Sequence, residues 1–449
     1  MKEEAKEKIS LPYKLVKGYF RLMINGFYYR RYYSLDVDNI PADGTPVVMV
    51  SDHQNCLNDA LGVLLAVNDR KMRFIARADA FTIHPLFRKF ILWVGLRPAF
   101  RMKYQGEEQL DKNEETFRLS EKDILAGHSL LLYPEAGHQT RHWLGFFSLG
   151  YLRMAFEAAE QEHFQKEIFV VPSCNHYSKY HGLRNDMLVR FGKPISLKPY
   201  YELYQTHPRT AWRQVNQLVR ARIRELMLDI QDLDHYDEID YLRNSAFGQD
   251  FARSLSKDPG VLPEKLEADR ELVARIDDAD MPFDEVRALH GTMRSLGLED
   301  RQFEKKPCLA GVIGEALLLL LTLPLALFAI WPALPCWAIP QHFSHKMEDN
   351  MFEGTFLLPI DVLLILPLGF LATVLIGWHW LGAWALLYGF ALPLLCIFEW
   401  YWTRLALRLR ADFRFLKAGK RAAALKEDRA VLFTKLKNIL NHGKTRNDR

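Results

Sequence analysis

A short apolar run, PVVMVS (46–51), leads straight into Asp52-His53-Gln54-Asn55-Cys56-Leu57-Asn58-Asp59. A histidine where a strand ends, followed by an aspartate where a helix begins, can form a dyad. The carboxylate orients the imidazole and stabilises its charged form, and the free ring nitrogen takes a proton from an attacking hydroxyl. His53 and Asp59 are therefore the candidate catalytic pair. Taken alone, a histidine near an aspartate is more often a satisfied surface group, so the rest of the chain has to decide.

Further blocks follow in order. Arg97-Pro98-Ala99-Phe100-Arg101-Met102-Lys103 places cations beside a strand-like segment, and a guanidinium makes paired hydrogen bonds to phosphate oxygens. Tyr133-Pro134-Glu135-Ala136-Gly137-His138 puts a carboxylate at another strand end, where burial would demand a partner. Val170-Val171-Pro172 and Phe191-Gly192-Lys193-Pro194 complete the series.

With these blocks the chain, over roughly residues 15–200, resembles the 1-acylglycerol-3-phosphate and glycerol-3-phosphate acyltransferases. The common first block of that family is Asn-His, four residues, then Asp. Here Asp52 precedes His53, five residues intervene before Asp59, and Asn58 stands at the commoner spacing. Asn55 and Asp59 fit a subgroup with a His-x-Asn-x-x-x-Asp pattern. The resemblance implies that Arg101 binds the acceptor's phosphate and that Glu135 and Gly137 order the acceptor site. The family's following basic position falls on His138 or Gln139, with Arg141 as a substitute. Ala136 stands where the family has glycine.

The elements that must position these groups alternate. Strands are expected at 46–51, 72–77, 96–100, 129–134, 168–173 and 187–192, with helices at 58–68, 84–95, 107–125 and 148–161. That pattern predicts an α/β domain with a mostly parallel sheet flanked by helices, and the resemblance implies that it is an acyltransferase domain over 35–200. Residues 11–34 read as one amphipathic helix with interleaved Tyr, Phe, Lys and Arg. Such a helix either packs on the domain or lies in the headgroup layer of a membrane. Residues 201–306 read as a helical annex, broken at Asp258-Pro259-Gly260 and at Met281-Pro282.

Composition splits the chain. Hydrophobic residues make up 49% and charged residues 25%, an ordinary globular average, yet 307–402 is almost wholly apolar. It contains three stretches, about 311–340, 356–376 and 379–399, of which the last two are near the ~20 residues a spanning helix needs and the first is longer. The first holds Pro324, Pro332, Pro335 and Pro340, which favours a segment that enters and returns. The other two should form a hairpin turning near Gly377-Trp378-His379. Asp361 lies within the second stretch, facing protein or water, or else at headgroup level. Residues 1–34 carry eight Lys/Arg against three acids, and 401–449 carry fourteen against four. Basic ends beside membrane-prone sequence suit anionic lipid, whereas a net charge of +4 gives no case for nucleic acid. The tail 403–449 is read as cytoplasmic because positive segments stay inside, and an enzyme domain using thioester donors is expected there too. Five scattered cysteines without a Cys-x-x-Cys pair argue against disulfide or metal frameworks.

The expected function is thus membrane-bound O-acyl transfer in phospholipid synthesis. An acyl group would pass from acyl-CoA or acyl carrier protein, acting as donor substrate, to glycerol 3-phosphate or 1-acylglycerol 3-phosphate. No metal or resident cofactor is expected. Acylation of another lipid hydroxyl, such as a lyso-aminolipid, stays open, as does a non-catalytic lipid-binding membrane protein.

Overall fold

The computed structural model describes residues 9–447 apart from 69, 79–80, 82–84, 100–107, 136, 138–139 and 345–355. The chain divides into two compact units. The first is Met1–Met227 with Asp349–Pro359; the second is Leu228–Glu348 with Ile360–Arg449.

The first unit opens with α1 (Leu11–Arg21), capped by the Ser10 side chain, which accepts from the Tyr13 N–H. It continues as a π-helical segment over Leu22–Tyr28 and then becomes a strand, β1 (Tyr29–Leu35). The single helix expected over 11–34 therefore stops at residue 28. The reason lies in the run Tyr29-Arg30-Arg31-Tyr32-Tyr33, whose aromatic residues suit a strand. Arg30 and Arg31 both reach Asp186 across the parallel pairing with the neighbouring strand, at 2.7 and 2.6 Å. α1 turns Tyr13, Lys17 and Phe20 inward and leaves Leu11 and Leu15 exposed, as is Leu22 at the start of the π-helical segment.

Alternation then follows the sequence closely: β2 (Val47–Ser51), α2 (Leu57–Ala66), β3 (Met72–Arg77), α3 (Pro85–Val94), β4 (Leu96–Ala99), α4 (Glu108–Leu125), β5 (Ser129–Leu132), α5 (Gly150–Gln161), β6 (Phe169–Tyr177), β7 (Asn185–Phe191) and the short β8 (Ile195–Ser196). The sheet order is β1-β7-β6-β2-β5-β3-β4, with β8 paired to β6. All neighbours are parallel except β6 with β7 and β6 with β8. β2 lies at the centre, between β5 and β6, and all five of its residues are buried. A strand covered on both faces cannot alternate polar with apolar, so VVMV is continuous.

α2 needs close approach to the sheet. A Cβ on Gly62 would lie 1.9 Å from Met187 Cε on β7, so only glycine fits there without displacement. The opposite layer comes from α5, α6 (Tyr201–Thr206) and α7 (Pro208–Arg224). Ala211, Val215, Val219 and Ile223 of α7 join Leu152, Ala155 and Phe156 of α5 in one core with Val48, Val50 and Leu130. Residues 201–227 thus belong with the first unit, although the sequence places them in the annex. Their helical periodicity could not say which surface the apolar stripe would meet.

The second unit contains α8 (Tyr236–Asn244), α9 (Ala246–Ser254), α10 (Leu262–Asp277), α11 (Phe283–Ser295), α12 (Arg301–Glu304), α13 (Leu309–Ser344), α14 (Leu358–Ile360, whose first two residues fall in the first unit), a π-helical turn at Asp361–Ile365, α15 (Leu366–Leu381), α16 (Trp384–Ala418) and α17 (Lys420–Asn447). The breaks around 258–260 and 281–282 fall between helices, as the prolines require. Three helices, Leu309–Phe343, Leu358–Leu381 and Trp384–Ala418, are long and apolar enough to cross a membrane, so the protein is multi-pass.

α15 and α16 form a hairpin. Its turn falls at Gly382-Ala383, not at 377–379, because Gly382 takes the positive φ (53°) that ends the helix. α13 is helical throughout its 36 residues with all four prolines inside. Its partners on α16 nevertheless reverse. Glu315 pairs with Arg408, Thr322 with Trp402 and Phe328 with Tyr388, but Trp337 packs on Trp400. The reversal spans Pro332 and Pro335, where a missing N–H and ring clash bend a helix. Asp361 is buried, with the Cys336 thiol beside it.

The basic tail is ordered helix. α16 continues beyond the apolar stretch to Ala418, and α17 packs back on the annex through Phe433 on Phe247, Arg429 with Asp300, Lys435 with Glu285 and Lys437 with Asp250.

Candidate active site

In a parallel sheet, groups that act together gather beyond the carboxyl ends of adjacent strands. Here the strands are β5, β2 and β6. β2 delivers Asp52 and His53, β5 leads to Tyr133 and Glu135, and β6 ends at Tyr177.

His53 Nδ1 lies 2.9 Å from Asp59 Oδ2. Asp59 stands in the first turn of α2 and is wholly buried, whereas the His53 side chain keeps 19% of its surface open. The same carboxylate oxygen accepts the backbone N–H groups of Gln54 (3.0 Å) and Asn55 (2.8 Å). Its other oxygen accepts the Tyr177 hydroxyl at 2.7 Å. Four donors fix one buried anion, so its ionised form is held by directed bonds. In the tautomer that donates Nδ1–H to Asp59, Nε2 is the ring nitrogen able to accept a proton. The ring also stacks on Tyr133, with centroids 4.3 Å apart and planes 20° from parallel.

The loop between His53 and Asp59 turns at Cys56, the residue before α2, where φ is 46°. Asn55 is buried and ties this loop down. Its amide donates to the Tyr180 carbonyl (3.0 Å), and its carbonyl accepts from Asn58 (3.2 Å). The Tyr180 hydroxyl donates to Gln54 (2.7 Å) and lies 3.0 Å from His142 Nδ1.

Glu135 braces the histidine from the other side. Oε1 accepts the His53 backbone N–H and Oε2 accepts the Gly145 N–H, both at 2.8 Å. Burial pushes its carboxyl above the ordinary range, while those two N–H groups pull it back. Its observed bonds therefore go to the catalytic backbone, a role the acceptor-site expectation did not contain. Asp52 is also buried. Its Oδ1 accepts the Asn175 N–H (2.9 Å) and the Ser51 hydroxyl (3.1 Å), while Oδ2 has no partner. Burial, and next the charge of Asp59, push this carboxyl well above its usual range.

The other expected site residues divide. Gly137 is exposed, and a Cβ there would meet nothing within 4 Å. Arg141 is exposed on the loop between β5 and α5. Arg101, with Phe100, Met102 and Lys103, lies outside the described residues, as do Ala136, His138 and Gln139. Arg97 of the same block is engaged elsewhere, 2.9 Å from Asp123, which Arg73 and His128 also contact. Burial works against that carboxylate, yet His128, Arg73 and Arg97 bring it down to about 2. Sequence reasoning missed Tyr177, Tyr180, Gln54 and His142. Tyr133 carried a signal, one position before Pro134-Glu135; Tyr177 carried none, since only sheet order brings the end of β6 beside β2. Among the described residues no cluster of three or more His, Cys, Asp or Glu has metal-holding geometry.

Residues 34–175 match the family model described as acyltransferase. The matched segment starts at the end of β1 and closes within β6, so it contains His53, Asp59 and Glu135. The chain therefore carries an acyltransferase-type domain, attached to a multi-pass membrane segment. Among solved structures it is similar to the 1-acyl-sn-glycerophosphate (LPA) acyltransferase PlsC from Thermotoga maritima, at 16% identity. That likeness covers 46% of this chain and 79% of the other, with a TM-score of 0.32. No curated protein matches the chain.

Proposed function

We propose that this protein transfers a fatty acyl group from a thioester carrier to a hydroxyl of glycerol 3-phosphate or 1-acylglycerol 3-phosphate at a membrane. The observation that carries the reading is the His53–Asp59 pair, 2.9 Å apart within the acyltransferase-matching segment. His53 Nε2 removes the proton from the acceptor hydroxyl as its oxygen attacks the thioester carbonyl. Asp59 stabilises the imidazolium that forms. Backbone N–H groups at the strand ends hold the oxyanion. The tetrahedral intermediate collapses, the carbon–sulfur bond breaks, and the proton passes from His53 to the departing thiolate of coenzyme A or acyl carrier protein. Arg101, and Arg141 on its loop, are the cations proposed for the acceptor phosphate. The catalytic unit faces the cytoplasm, where thioester donors are made, and anionic lipid attracts the basic segments.

An acceptor screen tests this. Glycerol 3-phosphate, lysophosphatidic acid and a lyso-aminolipid are each offered with acyl-CoA and with acyl carrier protein, using the full chain and His53→Ala. Transfer to a glycerol-phosphate acceptor that falls about 10²–10⁴-fold in the variant is expected. Equal turnover by both proteins would remove the mechanism, and transfer to the lyso-aminolipid alone would replace the acceptor.

A further inference from the structure

Among the described residues, Arg220 is a half-buried cation that no carboxylate accounts for. It follows Val219 on α7, is half-buried, and makes no hydrogen bond or ion pair with any described residue. Its Nε is buried without a partner. Burying part of a guanidinium without a carboxylate is costly, so such groups are rarely left unmatched. Two aromatic rings do face it. The guanidinium carbon lies 5.7 Å from the centroids of both Phe146 and Phe147. Phe147 is packed in the core, but Phe146 stands 79% exposed. An aromatic face held in water beside an unmatched guanidinium is a surface with one chemical demand: an anion for the arginine and a flat or apolar group for the ring.

This surface is coupled to the dyad. Phe146 follows Gly145, whose N–H donates to Glu135 Oε2, and Glu135 Oε1 accepts the His53 N–H. One carboxylate thus clamps the loop carrying the aromatic to the segment carrying the base. A ligand bridging both would have its reactive end at His53 and its anionic end at Arg220.

We propose that Arg220 and Phe146 seat the phosphorylated pantetheine arm of the acyl donor, Arg220 binding its phosphate and Phe146 receiving the group beyond. The inference rests on the acyl-transfer reading and adds to it where the donor lies. The phosphate is common to coenzyme A and to a carrier protein's prosthetic arm; only coenzyme A also brings a purine to stack on Phe146.

The test uses the full chain in membrane discs. Acyl-CoA is compared with an acyl-pantetheine lacking phosphate, in wild type, Arg220→Ala, Arg220→Lys and Phe146→Ala, and coenzyme A binding is measured directly by calorimetry. A charge-assisted hydrogen bond is worth roughly tenfold or more in binding. Arg220→Ala should therefore lower the preference, in kcat/KM, for acyl-CoA over acyl-pantetheine by about tenfold, and Arg220→Lys should restore part of it. Phe146→Ala should weaken acyl-CoA and spare acyl carrier protein if the stacked group is the purine; equal weakening of both assigns the ring to the arm they share. Melting curves check that Arg220→Ala folds. If Arg220→Ala depresses both donors equally, or neither, the seat is wrong. Coenzyme A binding indifferent to Arg220 would sink the seat while leaving acyl transfer standing. Arg220-dependent binding without turnover of any donor would sink acyl transfer while leaving the seat.

Discussion

Three carboxylates converge on the segment from Asp52 to Asp59, and His53 is the basic side chain placed among them. Their hydrogen bonds rank them. Asp59 receives two N–H groups, a hydroxyl and the imidazole; Glu135 receives two N–H groups; Asp52 receives one N–H and one hydroxyl on a single oxygen. Burial raises both Glu135 and Asp52, and Asp52, with one oxygen unpartnered and the charges of Asp59 and Glu135 nearby, is raised the further. In the unfolded chain it ionises normally, so the folded state binds the proton more tightly. Its contribution to stability is present below the ordinary carboxylate range and is lost as pH rises through the elevated value, at about 1.4 kcal/mol for each unit of separation. Asp52→Asn removes that loss. The melting temperature of the variant minus that of wild type should grow as pH rises from 4 toward 8, and a constant difference would show that Asp52 ionises freely. Tyr177→Phe should lower kcat several-fold with little change in either KM, since it strips one of Asp59's donors; a change confined to KM would place Tyr177 in substrate binding instead.

At the scale of elements, α7 shows how an apolar stripe selects its unit. Its buried residues recur every four positions from Ala211 to Ile223, and each meets the α5 side of the sheet. Removing a fully buried isoleucine side chain costs about 2–5 kcal/mol. Ile223→Ala should therefore destabilise the catalytic unit by that amount in urea unfolding monitored by acyl transfer. An effect confined to the annex would return 201–227 to it. The block after β4 carries the other prediction at this scale. Arg101→Ala should raise the acceptor's KM far more than the donor's, and an equal rise in both would assign Arg101 to structure. α1 packs on the unit through Tyr13, Lys17 and Phe20, while its exposed Leu11 and Leu15 leave membrane contact to be tested by liposome binding.

For the whole molecule, the decisive feature is that α17 packs on the helices that precede α13. We therefore expect the chain to enter and leave the apolar helices on the same side, with an even number of crossings. Three long apolar helices meet that requirement if the bend of α13 at Pro332 and Pro335, where its partners on α16 reverse, keeps it from crossing. Native Cys308, exposed just before α13, is one reporter. Single cysteines at Ala383 and in α17 supply two more in a background lacking the other thiols. In intact cells Cys308 and the α17 probe should share one accessibility to an impermeant reagent and Ala383 should show the opposite. Cys308 and α17 labelled from different sides would exclude an even count.

The sequence by itself determined the α/β alternation, the central buried strand, the spacing of His53 and Asp59, and the three apolar segments. These depend on local periodicity and on residues close in the chain. It did not determine what completes the site. Tyr177 reaches Asp59 across 118 positions only because β6 lies beside β2, and Glu135 reaches His53 only because β5 lies on the other side. It could not end the first helix at residue 28, since Arg30 and Arg31 are drawn into a strand by Asp186, 155 and more positions away. Nor could it assign α7 to the catalytic core or α17 to the annex. Helical period says which face of a helix is apolar, and only the packed structure says what that face meets.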